Sequence, residues 1–116
     1  MSLKGFDQLI SSARKRNEYL KNYIQVAERV KDLVNVEYAD AKIYVFGSTV
    51  RGTFTAASDI DVLVILPKDL GPYERAELMA RVFMDMPDAP VELHITDRKG
   101  LSWYMRFIKR EELVEV

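Results

Sequence analysis

The chain has 116 residues, 48% of them hydrophobic and 30% charged, a balance that excludes disorder and gives room for one domain, residues 1–116, with one core. A formal net charge of −1 disfavours general nucleic-acid binding, which calls for a basic excess, but leaves room for a small phosphate ligand. There is no cysteine and a single histidine, His94, so disulfides, thiolate chemistry and zinc sites built on Cys or clustered His are out.

In chain order, Phe6, Leu9, Ile10, Ala13, Leu20, Tyr23, Ile24, Ala27, Val30 and Val34 recur at three- and four-residue steps. This spacing predicts a long amphipathic N-terminal helix over residues 6–34, interrupted near Asn17. The run Arg14-Lys15-Arg16 reads as its solvated surface. Lys42–Phe46 is a β-branched and aromatic strand ending at Gly47. Residues 61–66 are a second strand, apolar enough to be buried on both faces and stopped by Pro67. Pro72 starts a helix that continues through Leu78, Val82 and Phe83 towards Pro87. Residues 91–96 alternate Val91, Leu93, Ile95 with Glu92, His94, Thr96 as a third strand. Residues 101–109 are expected to be helical, with Trp103, Tyr104 and Phe107 spaced as a core stripe, and residues 113–116 form a short terminal strand. The predicted fold is α/β (α+β), a small mixed sheet of three to four strands covered by helices. The N-terminus lacks an apolar signal segment and no run spans a bilayer, so a cytoplasmic location without membrane contact is expected.

The stretch "VFGSTVRGTFTAASDIDVLVIL" carries the chemistry. Residues two apart on a strand share a face, so Asp59 and Asp61 are expected to present their carboxylates together while Ile60 anchors the core. Two such charges repel unless a cation sits between them, and Mg²⁺ suits one or two carboxylates with room left for phosphates. Gly47 lets the backbone approach a ligand, and a short helix over residues 48–55 would aim its first amides and the Ser48 hydroxyl at an anion. Arg51 adds a forked phosphate donor. A Gly-Ser pair followed 9 to 13 residues later by acid–apolar–acid–apolar is expected by chance in roughly one chain of this length in two hundred. Three rival motifs fail. Thr53 stands where a P-loop needs lysine, Val62 and Leu63 spoil an EF-hand, and the acids precede the hydrophobic run that they follow in haloacid-dehalogenase-like phosphatases.

"GSTVRGTFTAASDIDVLVIL" resembles the signature of the DNA polymerase β-like nucleotidyltransferase superfamily, and its short form is similar to the minimal nucleotidyltransferases (MNT) of prokaryotes. That resemblance implies a nucleotidyltransferase-like fold and a third carboxylate on a neighbouring strand, at Glu92. It implies two Mg²⁺ ions held by Asp59, Asp61 and Glu92, with Glu92 helping to deprotonate an attacking hydroxyl. The paired ions would stabilise the entering and leaving oxygens of an in-line displacement. Gly47, Ser48 and Arg51 would hold the β- and γ-phosphates of a nucleoside triphosphate, ATP by family habit. It further implies a protein or other acceptor hydroxyl, and a toxin–antitoxin pair in which a small helical HEPN-type partner is modified on tyrosine. A non-catalytic nucleotide-binding or partner-binding subunit with the same fold is the alternative. His94 reads as a partly buried structural residue bordering the site, and the terminal strand could pair with a second copy of the chain as a homo-oligomer.

Overall fold

The computed structural model describes residues 3–116. Two consecutive helices, α1 (Leu3–Lys21) and α2 (Tyr23–Asn35), lead into strand β1 (Lys42–Phe46), a one-turn helix α3 (Ser48–Arg51) and strand β2 (Ile60–Leu66). Helix α4 (Pro72–Asp85), strand β3 (Val91–Asp97), helix α5 (Arg98–Tyr104), a 3₁₀ turn (Arg110–Glu112) and strand β4 (Val114–Glu115) follow. The four strands form one mixed sheet in the order β3-β2-β1-β4. β1 runs antiparallel to β2 and β4, whereas β2 and β3 are parallel.

Strict alternation gives the sheet two different faces. Ile43 and Val45 of β1, Ile60, Val62, Val64 and Leu66 of β2, and Ile95 of β3 point one way, into a core closed by Val26, Ala27, Val30 and Val34 of α2 and Leu78 and Val82 of α4. Burying each such aliphatic side chain contributes roughly 1.5–3 kcal/mol, so this face holds the molecule together. The opposite face carries Phe46, Asp61, Leu63, Glu92, His94 and Thr96, whose cross-strand registers pair Asp61 with Phe46 on one side and Glu92 on the other. This face is covered thinly, by α5, which starts on an Asp97 cap whose side chain accepts a 2.7 Å bond from the Gly100 amide.

The expected strands and the α4 helix are present, with differences at several boundaries. The N-terminal helix breaks at Asn22 rather than near Asn17; Asn22 adopts φ −104° and ψ 38°, and its side-chain amide donates to the Glu18 carbonyl at 2.9 Å. Only Leu20 of α1 is buried, while Leu3, Phe6, Leu9 and Ile10 are exposed. A 19-residue helix is about 28 Å long, longer than the strands, and α2 already covers the sheet, so the start of α1 has no core to reach. At the other end the helix expected over residues 101–109 stops at Tyr104. Trp103 and Phe107 are 55% and 71% exposed, so they form a surface aromatic pair rather than a core stripe. The terminal strand pairs with β1 of its own chain through Tyr44↔Glu115 and Val45↔Val114. Among the described residues, no helix is long and apolar enough to cross a membrane.

Candidate active site

β1 ends at Phe46 and the chain turns on Gly47, whose φ of 88° and ψ of −156° lie in a region open essentially to glycine alone. Two constraints meet there. A side chain at 47 would be strained, and its Cβ would also run into the Asp61 carboxylate, 3.3 Å from the Asp61 Cγ and closer still to Oδ2. The glycine therefore leaves room for an acidic group at the mouth of β2. Helix α3 is a single turn rather than the span expected over residues 48–55. Gly52, at φ 73°, ends it, with the Gly52 amide donating to the Thr49 carbonyl at 3.3 Å and the Thr53 amide to the Ser48 carbonyl at 3.0 Å. No side chain caps the start of α3, which leaves its leading amides and the half-buried Ser48 beside Gly47. Arg51, at the end of the turn, is partly exposed and lies 3.6 Å from the Glu112 carboxylate.

Asp61 and Glu92 are each the second residue of their strands, and the parallel register places them side by side. The strand entrances are tied together by the Ile60 amide, which donates to the Pro90 carbonyl at 2.7 Å. His94, two residues beyond Glu92, returns to the same face. Its Nε2 lies 3.2 Å from Asp61 Oδ1 and 3.8 Å from Glu92 Oε1. Phe46 and Tyr104 flank the imidazole, with ring centroids 5.3 and 5.8 Å away, and thereby fix its direction. One ligand-type atom from each of Asp61, Glu92 and His94 lies within 4.8 Å of the other two, the only group of this kind among the described residues. Desolvation raises the Glu92 carboxyl above its usual range, His94 opposes this, and the charges of Asp61 and Asp59 reinforce it. The hydrogen bond to Asp61 raises the His94 imidazole above its ordinary value, against the effect of burial and with help from the Glu92 and Asp61 charges. Two carboxylates and an imidazole converging beside a glycine that leaves them space are a donor set suited to a divalent cation.

Asp59 does not join that group. It precedes β2, which begins at Ile60, so strand alternation does not govern its direction. Arg16 of α1 captures it: Nη2 lies 3.3 Å from Asp59 Oδ1 and donates to the Ser58 carbonyl at 2.8 Å, while Nε donates to the Ala56 carbonyl at 3.0 Å. Arg16 is thus a clamp on the loop leading into the acids, not the solvated charge expected from its basic run. Ser58 acts locally, its hydroxyl accepting from the Thr55 amide at 2.8 Å. The structure brings Gly47, Asp61 and Glu92 together and puts His94 at the border of the site as expected, but in contact with the acids rather than as a structural residue, while the reach of Arg16 went unrecognised. For His94 the signal was its place two residues after Glu92 on an alternating strand. For Arg16, 43 positions from Asp59, there was none.

The sequence pattern of the family described as "Nucleotidyltransferase domain" matches residues 23–114. None of the curated proteins matches the chain significantly. Among solved structures, a candidate nucleotidyltransferase is 27% identical, with a TM-score of 0.61 over 77% of this chain and 95% of its own. A toxin–antitoxin structure with AMP-PNP is 24% identical, with a TM-score of 0.59 over 77% of this chain and 70% of its own. A complex of tri-AMPylated Shewanella oneidensis HEPN toxin with MNT antitoxin is 22% identical, with a TM-score of 0.54 over 78% and 68%. At these identities the last two speak to the fold alone, and they share the mixed sheet and helical cover described above. With the glycine turn and the acids of β2 and β3 inside the matched region, the chain belongs to the nucleotidyltransferase domain family.

Proposed function

We propose that the chain is a Mg²⁺-dependent minimal nucleotidyltransferase, one domain over residues 1–116, that moves AMP from ATP to a hydroxyl of a partner protein. The observation that carries this reading is the side-by-side register of Asp61 and Glu92 next to Gly47, because a glycine turn opposite paired acids is what a phosphate chain and its cation require. Asp59 and Asp61 would hold the ion that accompanies the triphosphate, and Asp61 and Glu92 would hold a second. When bound, the divalent ions offset the charge that builds on the phosphate oxygens during displacement. The leading amides of α3, the Ser48 hydroxyl and the Arg51 guanidinium bind the β- and γ-phosphates that leave as pyrophosphate. Arg51 exchanges Glu112 for phosphate in doing so. Glu92, beside the ion it would share with Asp61, accepts the proton of the attacking hydroxyl. Arg16 holds the 56–59 loop through the Ala56 and Ser58 carbonyls, and Asp59 would leave its 3.3 Å contact with Arg16 to reach the ion.

For the acceptor, the likeness to a complex in which a HEPN toxin is tri-AMPylated beside an MNT antitoxin supports a hydroxyl on a small helical HEPN-type partner, with this chain as the antitoxin. The AMP-PNP in another neighbour supports an adenine nucleotide. The exposed Trp103 and Phe107, beside Tyr104 at the site, give such a partner an apolar surface to dock on. The reagents are cytosolic, in keeping with the location expected from the sequence.

Incubating wild type and Asp61→Asn with each of four α-³²P nucleoside triphosphates, Mg²⁺ and host lysate tests this. A labelled protein band from ATP that disappears with Asp61→Asn is the expected result. Binding of ATP and Mg²⁺ with no labelled product from any nucleotide would replace it with the reading of a non-catalytic regulatory subunit.

A further inference from the structure

The acids of the site are shared with a residue of different chemistry. His94 stands on the same strand face as Glu92, and its Nε2 is directed between the two carboxylates by the flanking Phe46 and Tyr104 rings. Its distances, 3.2 Å to Asp61 and 3.8 Å to Glu92, can be compared with what a shared ion demands. Ligand atoms about 2.1 Å from one ion stand about 3 Å apart when adjacent and about 4.2 Å apart when opposite. The two His94 separations fall inside that range, and with no pair of the three atoms more than 4.8 Å apart, side-chain rotations of the carboxylates bring them onto a single centre. Asp59, held by Arg16, is not among them.

We propose that His94 is a metal ligand, making the Asp61–Glu92–His94 cluster a mixed oxygen–nitrogen position that binds Mn²⁺ in preference to Mg²⁺. This rests on the reading above that a divalent ion sits on Asp61 and Glu92, and names which ion that position takes. Mg²⁺ is a hard ion satisfied by carboxylate and water oxygens, and gains little from an imidazole. Mn²⁺ accepts carboxylates equally and is more tolerant of nitrogen, so replacing one oxygen donor with Nε2 selects for it. To ligate, the imidazole would be neutral with its hydrogen on Nδ1, any proton on Nε2 being released to solvent as the ion binds, and the ring needs no reorientation because the aromatic neighbours already hold it in place.

His94 is the chain's single histidine, so any imidazole nitrogen at a bound ion belongs to it. The decisive experiment is pulsed EPR on Mn²⁺ added to the untagged chain without nucleotide, together with Mn²⁺ and Mg²⁺ titrations of wild type, His94→Gln and Asp61→Asn. Modulation from a directly coordinated ¹⁴N is expected in wild type and absent from His94→Gln. Mn²⁺ affinity should fall roughly tenfold or more in His94→Gln, with Mg²⁺ affinity changed less than about threefold. Mn²⁺ bound by wild type and lost in Asp61→Asn, but with no ¹⁴N modulation, overturns the assignment of His94 and leaves the proposed transferase intact. A wild type that binds neither ion, with or without ATP, overturns both. The wild-type spectrum decides the question even if His94→Gln folds poorly.

Discussion

Gly47→Ala is the substitution that probes the site most directly, and the structure sets its size against an internal control. At φ 88° and ψ −156°, an alanine costs about 1–3 kcal/mol in backbone strain alone. Its Cβ then meets the Asp61 carboxylate, with Cγ at 3.3 Å and Cβ at 3.5 Å, and forcing atoms into such a space adds about 1–3 kcal/mol. Gly52 is the other glycine with positive φ, at 73°, and nothing lies within 4 Å of a Cβ placed there. Gly52→Ala therefore carries only the left-handed cost of about 1–2 kcal/mol. The difference is roughly 2–3 kcal/mol, equivalent to about 10 °C in Tm for a chain of this size. Asp61 has one escape, rotating away about its own Cα–Cβ bond, which would spare stability but break the 3.2 Å contact with His94 and scatter the ligand cluster. Thermal unfolding by circular dichroism and Mn²⁺ binding should both be measured on the two variants. Gly47→Ala is expected to lose about 10 °C more than Gly52→Ala, or to lose metal binding that Gly52→Ala retains. Equal Tm values together with equal metal affinity would refute the claim that Gly47 is there to make room for Asp61.

Two further perturbations follow from contacts outside the cluster. Arg16→Ala removes the donors that α1 supplies to the Ala56 and Ser58 carbonyls and to Asp59. With Asp59 in its proposed role as a ligand, misplacing the loop that carries it should lower nucleotidyl transfer by roughly ten- to a hundredfold, whereas an exposed ion pair contributes at most about 1 kcal/mol to stability. Kinetics and melting curves should thus separate, and a fall in Tm without a fall in rate would count against a clamp. Asp85, joined by two bonds of 2.7 and 2.8 Å to Arg29 between α4 and α2, has its carboxyl held below 3.8 by that hydrogen bond and charge. A depressed folded-state pKa stabilises above the unfolded value and is lost as pH falls through the folded one, so Asp85→Asn should matter at pH 7 and cease to matter in strong acid. An NMR titration placing the Asp85 midpoint at or above 3.8 would contradict this.

What the sequence disclosed about this site depended on how local each determinant is. Asp61, Glu92 and His94 could be placed on strand faces because a period of two is a property of a few consecutive residues, and β2 and β3 alternate core-facing Ile60, Val62, Val64 and Val91, Leu93, Ile95 with the residues between them. The register that puts Asp61 beside Glu92 is a long-range fact, fixed by packing of the apolar faces, since a one-residue slip would bury the acids and expose Ile60 and Val62; the sequence reached Glu92 only through what the family resemblance implies. Asp59 shows where that logic stops. It lies one residue outside the strand, where no ladder bond dictates its orientation, and an arginine from a distant helix decides the matter. The aromatic residues of the last helix fail for a related reason. Spacing in Trp103, Tyr104 and Phe107 announces a stripe, but a stripe becomes core only if another element covers it, and among the described residues none covers Trp103 or Phe107. Trp103 packs on Tyr104 and Phe107, and Tyr104 in turn packs on the His94 ring, so the inner edge of that uncovered stripe forms the wall of the site. The exposed aromatic surface and the candidate site are therefore contiguous: Trp103 packs on Tyr104, and Tyr104 packs on the imidazole that reaches Asp61.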